Sequence, residues 1–222
     1  MTGRDRILRR IRAAAERAAG AGADRAGAVA ARLRGGAPRA PAPAFARLDP
    51  PARQSRFEAR LLAADATLSH LAGLEALPAA LAAELRRRNL PPAIRHGSDP
   101  RFCGLDWTGI ETSVGPGRIE EPATLSHAAF GIAETGTLVL LSGPENPVTL
   151  TFLGETHFVV LRAADILAGL DDLWAALRRA GADPRTVNLV TGPSRSADIG
   201  QTLQLGAHGP VALHVFLLAG PG

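Results

Sequence analysis

An α/β fold is the architecture these 222 residues predict, on three observations. The runs HFVVL (157–161) and VFLLA (215–219) are continuously apolar, as strands buried on both faces are. From Ser126 onward such runs alternate with turns and helical patterns, which points to a sheet covered by helices. The length, with 46% hydrophobic and 21% charged residues, suits a globular chain with a sizeable core.

Taken in order, residues 2–19 read as an amphipathic helix, with Ile7, Leu8 and Ile11 on one face and Thr2 as N-cap. Residues 20–52 are rich in Ala, Gly and Pro, and APRAPAPA reads as a flexible or polyproline-like linker. The organisation expected is a basic helix and linker over 1–52, then a single α/β domain over 53–222. In that domain 54–64 and 77–89 read as helices, the second with Pro78 in its first turn. Residues 66–71 and the PPAIRHG segment read as short strands. TLVLLS (137–142), VTLTFL (148–153) and HFVVLR (157–162) read as strands, and 165–180 as a helix or helix pair. TVNLVTG (186–192) and LHVFLLAG (213–220) complete the set.

Composition removes several chemistries. All 25 basic residues are Arg, and Lys and Tyr are absent. Schiff-base catalysis, a P-loop lysine and a Tyr general acid are therefore excluded. The single Cys103 cannot form an internal disulfide, which agrees with a reducing cytosol. Nor can one cysteine ligate an iron–sulfur cluster, so any cluster belongs to a partner. No apolar run approaches the roughly 18 residues of a membrane span, and the N-terminus has no signal-peptide core. A cytoplasmic protein is expected. Residues 1–64 carry a formal charge of +9 and residues 65–222 one of −5. No aromatic residue interleaves the arginines before Phe45 to stack on bases, which argues against nucleic acid.

Two segments carry the candidate chemistry. In FGIAETGTLVLLSG (130–143), Glu134 stands beside Gly136 at the mouth of a strand, with the Thr135 and Thr137 hydroxyls next to it. The same residues suit a tight turn whose Glu is solvated or caps a helix, and both readings stay open. In TGPSRSADIG (191–200), a strand ends in Gly192 and Ser194 reads as the start of a helix. Such a turn aims free amides at an anion, and Arg195 adds a planar fork suited to a carboxylate. Ser196 and Asp198 lie in the first turn of that expected helix. A Ser194 N-cap with an Arg195–Asp198 pair that merely stiffens the loop is the other reading. The six histidines lack metal-ligand spacing, so no metal is expected. His157 and His214 lie in apolar strands and read as buried and hydrogen-bonded. His208, in GAHGP, reads as a group on a crevice rim. Cys103 reads as half-buried.

Four segments in order, AETGT (133–137), THFVV (156–160), GPSRSADI (192–199) and LGAHGP (205–210), resemble the LutC-type lactate-utilisation family, the LUD domain. RDRILRRIRAA at the N-terminus is similar to the family's first helix. The resemblance implies a three-layer α/β/α sandwich of the kind shared by glucosamine-6-phosphate deaminase, ribose-5-phosphate isomerase and CoA transferases. It also implies a role in oxidising L-lactate to pyruvate beside iron–sulfur partner proteins, with no cofactor held by this chain. The residues' own chemistry, rather than the resemblance, then assigns Glu134 and His208 as proton acceptor and donor lining the crevice. Thr135, Gly136, Thr137, Gly192, Ser194, Arg195, Ser196 and Asp198 hold a small carboxylate. Gly200 stands where the family pattern has Glu, and Gly154-Glu155 where it has Pro-Pro. Two other readings are a free-standing enzyme on a sugar phosphate, CoA thioester or folate, and a non-catalytic scaffold docked by its basic helix.

Overall fold

A computed structural model of the chain describes residues 2–19, 24–35, 44–197, 203–206 and 208–219. The chain divides into two compact units, residues 1–42 and 43–222. In the first, α1 (Gly3–Ala19) opens on a reciprocal cap: the Thr2 hydroxyl accepts from the Asp5 amide, and the Asp5 carboxylate accepts from the Thr2 amide. Residues 25–35, read from composition as linker, form a second helix, α2 (Arg25–Gly35). Alanine is the best helix former, and Asp24 supplies the start by accepting from the Gly27 amide at 2.7 Å.

In the second unit, α3 (Pro50–Ala63) begins four residues before the sequence-based boundary. Asp49 caps it by accepting from Ala52 N at 2.9 Å, and Pro50 and Pro51 take the first positions, where a missing N–H is harmless. Then follow β1 (Thr67–Leu71), α4 (Leu77–Arg87), β2 (Ala93–His96), α5 (Pro100–Cys103) and β3 (Glu111–Val114). The chain continues through β4 (Ala123–His127), β5 (Phe130–Ile132), β6 (Thr137–Leu141), α6 (Val148–Phe152) and β7 (Thr156–Arg162). It ends with β8 (Ile166–Leu167), α7 (Leu170–Arg179), β9 (Val187–Val190), β10 (Arg195–Ala197), β11 (Leu203–Leu205) and β12 (Ala212–Leu218).

Six strands form a fully parallel sheet in the order β1-β12-β7-β4-β2-β3. Its central strands β7 and β12 are buried on both faces, as their unbroken apolar sequences predict. One face packs on α4 and α5, where Leu77, Leu81, Leu85 and Phe102 meet Leu125, Phe158 and Phe216. The opposite face is covered by α3 and by a second sheet, of order β8-β5-β6-β9. There Phe57, Leu61, Leu138 and Leu140 meet Val159, Leu161, Val215 and Leu217. Helix α7 then packs Leu173 and Leu177 on the outside of that second sheet. The α/β sandwich expected from sequence is present, with a small sheet sharing one covering layer.

Three local readings are corrected. VTLTFL is not a strand: 148–152 is the helix α6, entered from Pro147, with the Leu150 carbonyl accepting from the Thr124 hydroxyl. The 165–180 helix is divided by Gly169, so that β8 precedes α7. Cys103 is exposed rather than half-buried. No described helix is long and apolar enough to cross a membrane.

The chain's route across the parallel sheet matters for function. After β2 it passes through α5 on one face to the edge strand β3. It returns on the other side of β2 as β4, then leaves through β5 and β6 on the opposite face. The connections from the carboxyl ends of β2 and β4 thus diverge, and a crevice opens between them. In open α/β sheets this is where ligands bind.

Candidate functional site

The two glycine-rich segments meet, and they meet on the last turn of α3. Gly136 and Gly192 both take φ near +73°. A side chain on Gly136 would strike the Arg60–Leu61 backbone, and one on Gly192 the Ala64 carbonyl. A chain of hydroxyls joins the segments: Thr135 Oγ1 to Thr137 Oγ1 at 2.6 Å, and Thr137 Oγ1 to Thr191 Oγ1 at 2.6 Å.

The polar groups expected to act together are nonetheless distributed over different places. Glu134 is half-buried in the β5–β6 turn, its amide bonded to the Ala168 carbonyl at 3.0 Å and its carboxylate against Gly169. Ser194 does not start a helix; residues 195–197 form β10, antiparallel to β11. That hairpin pairing satisfies the backbone laterally, where a helix start would leave amides free. The Ser194 amide itself donates to the Pro210 carbonyl at 2.8 Å, and Ser194 Oγ accepts from His208 N at 3.3 Å. Arg195 is engaged as well: Nη1 donates to the Val211 carbonyl at 3.1 Å, and Nε lies 3.5 Å from the Asp65 carboxylate. The Ser196 side chain and Asp198 lie outside the described residues. His208 is exposed on the rim of a crevice of about 470 Å³ with Phe152, Leu153 and Glu155, at the amino ends of β7 and β12. Among the described residues no hydrogen bond or ion pair joins Glu134 to Ser194, Arg195 or His208.

The other histidines also divide. His214 Nδ1 bonds Thr67 Oγ1 at 2.7 Å, as expected of a buried imidazole. His157 is fully buried, but neither ring nitrogen has a partner among the described residues, contrary to expectation.

Sequence reading missed the crevice between β2 and β4, a space of about 430 Å³ lined by Asp99, Arg101, His127, Ser142 and Asn146. Its geometry is built from the backbone outward. Asp99 follows β2 and caps α5, accepting from the Arg101 amide at 3.0 Å. The buried Asp99 carboxylate then takes a two-point fork from the Arg101 side chain, Nε to Oδ1 and Nη2 to Oδ2, both 2.8 Å. Arg101 Nη1 donates to His127 Nε2, 3.2 Å away at the end of β4. Burial, assisted by the Arg101 charge, lowers the His127 pKa from 6.5 to about 4, so the ring is neutral at pH 7. Ser98 N donates to the Pro144 carbonyl at 3.1 Å and ties the two walls together. The available signal was local: a strand, PPAIRHG, followed by the Ser-Asp-Pro start of a helix. Among the described residues no group of three or more His, Cys, Asp or Glu is placed to hold a metal ion.

A parallel sheet with both faces covered, and a crevice at its switch point, defines an α/β sandwich domain. A LUD domain family model matches residues 122–218. Lactate utilization protein C of Geobacillus kaustophilus is 31% identical over 174 residues, covering 65% of this chain and 71% of that protein. An uncharacterised protein of Neisseria meningitidis serogroup B is 39% identical over 130 residues, 54% of this chain and 56% of its own length. The chain belongs to the LutC-type lactate-utilisation family. The crystal structure of a DUF162 family protein from Deinococcus radiodurans shares the fold, with a TM-score of 0.61 and 21% identity over 77% of this chain and 99% of that one.

Proposed function

We propose that this chain works in the cytoplasm in the oxidation of L-lactate to pyruvate, as the member of an assembly that handles the small carboxylate. Lactate gives up two electrons and two protons in becoming pyruvate, and iron–sulfur partner proteins take the electrons. The observation that carries this reading is the similarity to lactate utilization protein C over 71% of that protein's length. The division of labour follows from the residues present: one cysteine cannot supply the thiolates of a cluster, whereas the α/β body offers a polar crevice with a fixed arginine.

Deleting the gene is expected to abolish growth on L-lactate while leaving growth on pyruvate intact, and a plasmid copy is expected to restore it. Unchanged growth on lactate contradicts the proposal. So does turnover of a CoA thioester or sugar phosphate by the purified chain alone, which would assign it to free-standing catalysis.

A further inference from the structure

We propose that the crevice between the carboxyl ends of β2 and β4 is a carboxylate-binding site in which Arg101 grips the ligand and Asp99 is the positioning residue. With the lactate reading above, on which only the choice of acid rests, the ligand is a small 2-hydroxy or 2-oxo acid.

Arg101 has more donors than its partners use. A guanidinium carries five N–H groups in one plane and accepts none. In Arg101 the Nε hydrogen and one Nη2 hydrogen go to Asp99, and one Nη1 hydrogen goes to His127. One N–H on each Nη remains without a partner among the described residues. Two N–H groups on adjacent nitrogens of one planar fork are the donor pair that meets the two oxygens of a carboxylate. The direction of the fork is fixed from behind, because the Asp99 side chain is 2% exposed while that of Arg101 is 43% exposed. The protein holds the inner edge and leaves the outer part of the group at the crevice. Arg195 offers no such pair on adjacent nitrogens: Nη1 donates to the Ser194 and Val211 carbonyls and Nε faces Asp65, which leaves Nη2 alone.

His127 adds a second recognition element. Arginine has no acceptor, so the His127 nitrogen facing it, Nε2, must be the unprotonated one. The neutral ring then carries its hydrogen on Nδ1, which has no partner among the described residues. An imidazole N–H lining the same crevice as a guanidinium fork suits an oxygen on the carbon next to a carboxylate. Asn146 marks the site independently: it lines the crevice, is 8% exposed, and its side-chain carbonyl has no partner among the described residues. The charges nearby limit the choice of ligand. Among the described residues Arg101 is the only cation lining the crevice; Glu145 on the rim is exposed, and the Arg162–Asp165 pair beside His127 is neutral overall. Asp99 already offsets the Arg101 charge, so a bound carboxylate is held by directed N–H donors rather than by a net positive field, and a ligand with several negative groups is disfavoured.

The test is calorimetric titration of the full chain with L-lactate, pyruvate, acetate and inorganic phosphate, repeated on Arg101→Lys. Lysine keeps the charge beside Asp99 and loses the fork, and a thermal melt reports whether the variant is folded. L-lactate or pyruvate should bind the wild type more tightly than acetate, and Arg101→Lys should weaken that binding about tenfold or more with the melt little changed. A folded Arg101→Lys that binds as tightly as wild type overturns the site, as does a wild type that binds none of the four. Acetate or phosphate binding as tightly as lactate, and dependent on Arg101, keeps the site and overturns the assignment of the acid. Growth on lactate reads the functional proposal separately, because it can fail while Arg101-dependent binding persists.

Discussion

Gly192→Ala is expected to destabilise the 43–222 unit by about 2–4 kcal/mol, near the upper range for one added methyl group. Two effects add. At φ +73° alanine is strained by about 1 kcal/mol, and its Cβ would press on the Ala64 carbonyl, which belongs to backbone and cannot turn aside. For a unit of this size the melting temperature should fall by roughly 5–15 °C. Gly136→Ala should behave alike, since its Cβ would meet the Arg60–Leu61 backbone. Gly181 is the control. It too has positive φ, near +60°, but nothing lies within 4 Å of an added Cβ, so Gly181→Ala should lose only the strain. Thermal melts of the three variants decide. Equal losses at 181 and 192 would mean that close packing on α3 is not what the glycine serves.

A steep loss of stability between pH 6.5 and 4 is the second large effect expected. Burial lowers the pKa of His157 to about 3 and of His214 to about 4. Burial, with Arg101 beside it, lowers His127 to about 4. As pH falls, each imidazole takes its proton in the unfolded chain near 6.5 and in the folded chain only near 3 or 4. The unfolded state therefore binds more protons across that window, and folding weakens by about 1.4 kcal/mol per pH unit for each histidine. Three together approach about 4 kcal/mol per unit, against a total stability of order 5–15 kcal/mol. Denaturant titrations at pH 7.5, 6, 5 and 4.5 measure the slope. His157→Leu should reduce it by about a third and leave stability at pH 7.5 unchanged or higher, since it removes two buried nitrogens without partners. A variant with the wild-type acid slope would contradict this assignment.

Much of the two sheets was legible because continuous apolar runs at 138–141, 158–161 and 215–219 have no other low-energy place. Elements decided by distant partners were not. VTLTF alternates branched and apolar residues as a strand does, yet it folds as α6 over Thr124, whose hydroxyl meets the Leu150 carbonyl. Ser194 after Gly-Pro imitates a helix cap, but Arg195–Ala197 finds a strand partner in Leu203–Leu205. Helix α2 was hidden because an Ala/Gly/Pro bias reads as linker while the alanines favour helix.

Distant partners decide the site as well. The meeting of AETGT and TGPSR was visible in their glycines and threonines, and Thr137 and Thr191 do touch. Their chemistry was not, because Arg195 is occupied by Asp65 and the Val211 carbonyl, while Glu134 stands against Gly169. Asp99 and Arg101 form no motif with His127, which lies far along the chain. They become neighbours only because β2 and β4 run parallel side by side, with Arg95 opposite Thr124 and His96 opposite Leu125. Reading such a constellation requires the strand order, which sequence periodicity does not contain.

The choice between the two crevices comes down to the imidazole resonances of His127 and His208, followed by NMR while L-lactate is added to the full chain. The switch-point account predicts that the His127 ring signals move saturably with ligand and that those of His208 stay in place. Movement of His208 with His127 unchanged would put the ligand at the amino ends of β7 and β12 and contradict it.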